Sequence, residues 1–510
     1  MATDTSGEEA PDAYARLVRK VKRINNVGAA SEVLSWDQEV MMPEGGTPAR
    51  AQQLSTLSGL QHELLTEDEL GDLLDELDGE DLDGERAAVV REVRREYERA
   101  VRVPTELIEE ISTTTSESLP VWERAREEDD WSAFAPYVEK LVDLKRQYAE
   151  HIDPDEDPYA VLFADYEPYL PLSRAEEILE ELRETLVPMI AEIRESETPI
   201  TTDAFASRGP YDVDEQEELV RRALTLLGYP WERGRLDTSS HPFSTGNQFD
   251  ARLTTRFKPD DPIDALTSTI HEFGHATYTL GLPEADYGTP LGEHRGLAVH
   301  ESQSRLWENH VGRSKPFWEL FLPTLVEYFP QAEEVTVEGA YESVNEVAED
   351  NVIRVEADEL TYHLHIILRF EIERALVSGD LDVADVPEVW NDKMEEYLGV
   401  RPESDAEGCL QDIHWSHGSF GYFPTYSLGS VLAAQLFAAA ERDVVDLEAK
   451  IRAGEFDPLR EWLTENVHRY GQRYETNELV RKATGEDFSA DAFVDYVTGK
   501  YGDLYGLDSA

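Results

Sequence analysis

Apolar residues recur at helical intervals along most of this chain. Tyr14, Leu17, Val18 and Val21 predict a first amphipathic helix, and Ala49, Leu54, Leu57 and Leu60 predict a second over residues 47–62. Val89, Val90, Val93, Tyr97 and Val101 fall on one side of a third, over residues 85–101. Between the first two, residues 34–46 hold Pro43, Gly45 and Gly46 and predict a turn-rich connection. The acidic tract over residues 67–85 predicts a solvated helix face and loop. From Pro104 to Tyr229 the helical spacing continues, with breaks predicted at Asp153-Pro154, Pro168 to Pro171 and Ile200 to Pro210. No internal repeat or long low-complexity linker interrupts the pattern, so one large helical body is expected.

The period changes near residue 250. Phe249, Ala251, Leu253 and Phe257 alternate with Asp250, Arg252, Thr254 and Arg256, which predicts a half-buried strand. Such a strand can offer its edge to an extended peptide, or it can be a structural hairpin with a solvated polar face. Helical spacing then resumes. Asp261 is a candidate N-cap, Pro262 suits the first helical position, and Ile263, Leu266, Ile270, Phe273 and Tyr278 continue until Gly281 and Pro283.

Inside that helix stands His271-Glu272-Phe273-Gly274-His275. Positions four apart share a face, so both imidazoles can turn toward one metal ion, while Glu272 is rotated to the flank, within reach of an attacking water. With 13 histidines and many glutamates in the chain, the pentad could also arise by chance. A catalytic zinc usually keeps three protein ligands, and Glu284, Glu293, His294, His300, Glu301 and Glu308 are candidates for the third. Leu297, Ala298, Leu306 and Trp307 suggest a second helix around Glu301 that could pack beside the first.

Two later clusters carry chemistry. Residues 353–358 are expected to open a long helix with Arg354 and Asp358 on one face, a spacing that also suits a plain surface salt bridge. Residues 408–429 combine His414, His417, Tyr422 and Tyr426 with four glycines before Tyr426 or just after it. They predict an irregular loop able to hold donors near a reacting carbonyl.

Charge narrows the function. The chain of 510 residues has 108 acidic and 46 basic side chains, a formal net charge of −62, which argues against nucleic acids and anionic membranes as partners. At 40% apolar and 9% aromatic it has material for a core, so the acidity predicts an acid-coated enzyme suited to a high-salt cytoplasm, as in a halophilic archaeon. Cys409 is the only cysteine, which excludes an intrachain disulfide, and its neighbours suggest a small buried hydrophobe. The acidic residues 1–12 lack the pattern of a secretory leader, and the longest apolar run, residues 428–440, is interrupted by Gly429, Ser430 and Gln435. A cytoplasmic protein without membrane spans is expected.

Five motifs in order, Asp250-Ala251-Arg252-Leu253-Thr254, the pentad, His300-Glu301-Ser302-Gln303, residues 353–358 and residues 408–415, resemble the carboxypeptidase Taq family of zinc metallocarboxypeptidases. Trp36-Asp37, Met42-Pro43, Gly45-Gly46 and His241-Pro242-Phe243 extend the likeness over nearly the whole chain. Val40 and the very acidic surface depart from it. The resemblance implies a mainly α fold: a large helical body with a deep groove, a small β-sheet at the groove edge and an N-terminal helical lid over about residues 13–103. It implies one peptidase domain over residues 1–510, with its catalytic core in about residues 240–430, and commonly a homodimer.

By position, the resemblance makes His271, His275 and Glu301 the ligands of one Zn2+ per subunit, with Co2+ possible, and Glu272 the general base. Arg354 would fix the substrate's terminal carboxylate, with Asp250 and Arg252 also on the substrate side. His414, His417, Tyr422 and Tyr426 lie where related helical zinc peptidases keep oxyanion donors. The expected reaction is removal of C-terminal residues from peptides with broad specificity. An endo-acting zinc oligopeptidase and a catalytically silent zinc-dependent peptide-binding protein are the alternatives, and the intact Glu272 speaks against the second.

Overall fold

The computed structural model describes residues 12–348 and 350–507; of the acidic N-terminal stretch, residues 1–11 lie outside it. Four helices come first: α1 (Ala13–Val40), α2 (Thr47–Leu65), α3 (Asp68–Leu77) and α4 (Gly84–Arg102). They share a small core of their own, built from Leu17, Val21, Leu70, Leu74, Val89 and Val93 among others, which meets the rest of the molecule at Leu291. Helices α5 (Thr105–Glu128), α6 (Trp131–Ile152), α7 (Pro158–Tyr166), α8 (Leu172–Glu195) and α9 (Val213–Leu227) follow, with breaks at the three predicted places.

A three-stranded sheet, β1 (Gly234–Thr238), β2 (Ser244–Asn247) and β3 (Asp250–Thr255), leads into α10 (Pro262–Gly281) and α11 (Leu297–Arg305). After α12 (Lys315–Tyr328) and α13 (Val337–Val344) come α14 (Thr361–Ser378), α15 (Val386–Leu398) and α16 (Pro424–Asp443), then shorter helices to Tyr505. One continuous core runs from Trp122 to Tyr505 through all of these, so the chain is a nearly all-helical body with a small sheet.

The helix carrying the pentad forms as predicted. The Asp261 carboxylate accepts from the backbone N–H of Ile263 (3.0 Å) and Asp264 (3.2 Å), Pro262 takes the first position, and Gly281 is its last residue. Its companion α11 forms around Glu301. Backbone contact between them depends on Gly274, where a Cβ would stand 2.5 Å from the Gln303 carbonyl oxygen.

Several expectations are corrected. Residues 34–40 belong to α1 instead of a turn, because Trp36 is buried under the guanidiniums of Arg235 and Arg252 (4.9 and 4.3 Å to its ring) and Asp37 pairs with Arg50 (2.6 Å). In α2 the predicted apolar stripe does not enter the core; Leu54 and Leu57 are only half-buried and Leu60 is exposed, while Arg50 and Leu64 are buried. Val101 likewise ends up exposed, unlike Val89, Val90 and Val93.

Strand β3 is central, parallel to β1 and antiparallel to β2, so β3 offers no edge; β1 and β2 are the edge strands, and β2 is the one whose Ser244 lies beside Glu272. Thr254 is buried because its hydroxyl bonds Ser239 and Phe243, and Phe249 precedes the strand, exposed against Tyr287. Arg354 and Asp358 do not share a helix. Arg354–Glu356 is a single 3-10 turn, and Asp358 caps α14 by accepting from the N–H of Leu360 (2.9 Å) and Thr361 (3.0 Å). Residues 408–429 are irregular only as far as Phe423; Tyr426 and Gly429 lie in the first turns of α16.

Candidate active site

The pentad histidines meet Glu301, one of the six third-ligand candidates and the one the family resemblance favours. One donor atom from each of His271, His275 and Glu301 lies within 4.8 Å of the others. His271 Nε2 is 3.8 Å and His275 Nε2 3.5 Å from the same oxygen, Oε2 of Glu301. Both rings are aimed from behind: Nδ1 of His271 bonds Glu308 (2.8 Å), and Nδ1 of His275 bonds the carbonyl oxygen of His300 (3.1 Å). Fixing Nδ1 in this way presents Nε2 as the ligand atom. Two nitrogens and one carboxylate oxygen, oriented by outer partners, fit a catalytic divalent ion with one position left open. Gly429 makes room for the carboxylate, since a Cβ there would stand 2.4 Å from Cγ of Glu301.

Glu272 is buried on the flank of this triad, beside Ser244 of β2. Burial pushes its carboxyl up to about 7. The other third-ligand candidates fall elsewhere. Glu284 pairs with Arg233 (2.7 Å), Glu293 lies near Glu32 and Glu96, His300 stacks flat on His275 (4.1 Å between centroids), and His294 packs against His300. Glu308 holds His271; burial alone would raise its pKa, but Arg305 and Arg313 hold it well below the usual carboxylate range. Sequence reasoning missed this supporting role, although Glu301, Arg305 and Glu308 stand at i, i+4 and i+7 on one helical path. Arg305 donates to Glu301 (2.7 Å) as well as to Glu308 (3.3 Å).

The 3-10 turn His414–His417 and the start of α16 supply an aromatic wall. His414 Nε2 lies 3.4 Å from the Tyr426 hydroxyl, and the Tyr422 ring sits edge-on to Tyr426 (5.1 Å). Burial lowers His414 to about 4, so its ring is neutral at physiological pH. His417 is exposed at the end of the turn and takes no part in these ring contacts.

Arg354 is buried, and its Nε and Nη2 hold Asp412 at 2.9 and 2.8 Å. Nη1 donates to the Tyr362 hydroxyl (3.3 Å). Arg369, fully buried, donates to the other oxygen of Asp412 at 2.6 Å. Two guanidiniums therefore share one carboxylate, leaving one surplus positive charge in a desolvated place. The group joins the metal-type triad through Tyr362, whose ring lies under Arg305 (4.8 Å). Neither Asp412 nor Tyr362 was singled out from the sequence. Asp250 and Arg252 pair with each other (2.6 Å) beneath Trp36 of α1.

A family model described as carboxypeptidase Taq (M32) metallopeptidase matches residues 16–501. Thermostable carboxypeptidase 1 of Pyrococcus furiosus is 42% identical over 489 residues, covering 95% of this chain and 98% of the relative. Thermostable carboxypeptidase 1 of Thermus thermophilus is 40% identical over 508 residues, covering 97% and 99%. The crystal structure of the M32 carboxypeptidase from Deinococcus radiodurans superposes with a TM-score of 0.93 at 40% identity, covering 97% of this chain and 99% of that one.

Proposed function

The chain belongs to the carboxypeptidase Taq (M32) metallopeptidase family and is a metallocarboxypeptidase, and from that premise we propose that it releases C-terminal residues from peptides with broad specificity, using Glu272 as general base. The observation that carries the exopeptidase reading is the surplus positive charge where Arg354 and Arg369 share Asp412, because a desolvated cation is what a free terminal carboxylate needs. An endopeptidase has no use for it.

A divalent ion held by His271, His275 and Glu301, taken to be one Zn2+ per subunit with Co2+ as the alternative, would supply Lewis acidity toward the scissile carbonyl and toward water. Glu272, with its carboxyl pushed up to about 7 by burial, is poised to take a proton from the attacking water near neutrality and to deliver it to the leaving amine. The hydroxyls of Tyr422 and Tyr426 and the neutral ring of His414 are donors for the tetrahedral oxyanion; His417, being exposed, is assigned no contact with it. The remaining N–H groups of Arg354 receive the terminal carboxylate, and the free edge of β2 aligns the peptide ahead of the scissile bond. Asp250 and Arg252 act on the substrate side by fixing Trp36 and with it α1, the first helix of the lid over residues 13–103.

The homodimer and the cytoplasmic, salt-rich location expected from sequence stay part of the proposal, and sedimentation velocity checks the first. Among the described residues no helix is long and apolar enough to cross a membrane. The test is mass spectrometry of a peptide mixture incubated in high salt with and without added metal. Residues lost one at a time from C-termini support the reading, and fragments from internal bonds overturn it in favour of an endopeptidase.

A further inference from the structure

Immediately after Arg305 the helix carrying Glu301 widens into a π-helix, Leu306–Gly312, a rare form that often marks functional positions. The widened turn delivers Asn309 and His310 to the wall of a cavity of about 320 Å³. No metal ligand or oxyanion donor proposed above lines this cavity. Both side chains are only 6% exposed, and neither makes a hydrogen bond to another described residue. Asn309 engages only through its backbone carbonyl, which accepts from Tyr496 at 3.4 Å. Neither side chain contributes a polar atom that is both sealed from solvent and unpartnered, so the amide of Asn309 and the ring nitrogens of His310 are open to the cavity and available to a small polar molecule held there.

The surroundings say what. His310 is clamped between the rings of Phe437 (4.9 Å) and Tyr496 (4.2 Å), and burial lowers it to about 4, so it offers one donor and one acceptor. Arg313 and Lys500 stand on the same wall, each already paired with a buried carboxylate, Arg313 with Glu308 (2.9 Å) and Lys500 with Glu359 (2.6 Å), so a ligand carboxylate would share these cations. Glu441 and Glu448 both line the cavity; Glu448 pairs with Arg452 (2.6 Å), whereas Glu441, exposed at the cavity's rim, forms no ion pair with a described residue. Phe437, Ala434 and Ile451 give the space an apolar side. Cationic and neutral donors, a separate carboxylate and an apolar surface within this volume match a small zwitterion with a hydrocarbon side chain.

We propose that this cavity binds a free α-amino acid with an apolar side chain. Its carboxylate meets Asn309, His310 and the Arg313 and Lys500 cations, its ammonium faces Glu441, and its side chain lies on Phe437 and Ile451. On the function proposed above, such a molecule is the reaction's own product, so the site would report product to the enzyme. The route is short: Arg313 donates to Glu308 at 2.9 Å, and Glu308 holds His271 at 2.8 Å. A carboxylate engaging Arg313 competes with Glu308 for the same guanidinium.

Calorimetric titration of the full chain with L-leucine tests the site. Two variants are compared with the wild type: Ala438→Trp, which fills the cavity from an exposed helix position, and His310→Phe, which keeps the ring stack but removes the polar atoms. One binding component should weaken by at least about tenfold in each variant. L-leucinamide and glycine should bind that component more weakly than L-leucine, and peptide turnover without added amino acid should be unchanged in Ala438→Trp. Leucine isotherms that are identical in all three proteins, or leucinamide binding as well as leucine, overturn the proposal. Failure to hydrolyse any peptide would instead count against the carboxypeptidase function, since the titration does not depend on turnover.

Discussion

Arg354→Ala is the substitution that separates a carboxypeptidase from any other metallopeptidase built on the same centre. In the wild type, Asp412 carries one negative charge between two buried guanidiniums, so one positive charge is in surplus, which the proposed function assigns to the substrate's terminal carboxylate. A carboxylate about 4 Å from that charge gains about 4 kcal/mol at an effective dielectric constant of about 20. Part of this offsets the desolvation of the incoming group, which leaves about 2–4 kcal/mol, or roughly 30- to 1000-fold in kcat/KM. In the variant, Arg369 stays on Asp412 at 2.6 Å, so the buried carboxylate is not orphaned and the surplus charge is gone.

The assay compares a peptide acid with its C-terminal amide on wild type, Arg354→Ala and Arg354→Lys, after each protein is shown to retain metal and to melt cooperatively. The acid should lose that factor in Arg354→Ala while the amide changes little. Lysine should recover only part, because an ammonium offers a point charge without the planar fork. An Arg354→Ala enzyme that keeps the wild-type preference for the acid would refute the reasoning, and Arg252 or Arg256 would be the next candidates.

Glu272→Gln should keep its metal while losing about 10²- to 10⁴-fold in kcat, the usual worth of a general base; near-normal turnover of the metal-loaded variant removes Glu272 from the mechanism. Glu301→Ala leaves two histidines, so metal measured after dialysis should collapse. Glu308→Gln keeps all three ligands and loosens His271, so metal affinity should fall by about 10- to 100-fold, read by competition with a chelator. With a net charge of −62, the melting temperature should rise between millimolar and molar KCl as the Debye length shortens from tens of ångströms to about 3 Å; an unchanged midpoint would show that repulsion does not limit stability.

What the sequence revealed follows from how local each signal is. The α10 helix has its cap, its proline and its apolar spacing within twenty residues, and it forms with Asp261 bonded as expected. By spacing Glu301 was one candidate among six, favoured by the helix expected around it and by the family resemblance; the packing of α11 beside α10, through Gly274, is what brings it to the two histidines. Residues 34–40 were misread because Pro43, Gly45 and Gly46 suggest a turn, while the burial of Trp36 under Arg235 and Arg252 comes from strands 200 residues away. The Arg354 turn was misread for the converse reason: i, i+4 spacing suggested a helix face, but Arg354 is held by Asp412 and Asp358 caps the helix that follows. The π-helix after Arg305 leaves no mark in the apolar pattern, so the turn of Asn309 and His310 toward a cavity could not be read from it, whereas the spacing of Glu301, Arg305 and Glu308 did hold a signal for Glu308's role. Pairings between distant segments carry no periodicity for a sequence to display.

The central claim is that one divalent ion on His271, His275 and Glu301 supports hydrolysis of the C-terminal peptide bond. Titrating the metal-free protein with Zn2+ while following release of the C-terminal residue from one defined peptide tests it most directly. The account predicts that release is absent at the start, rises in proportion to added ion and stops rising at one equivalent per chain. Release that proceeds undiminished without metal, or that comes from the amino end or from internal bonds of the peptide, would contradict it.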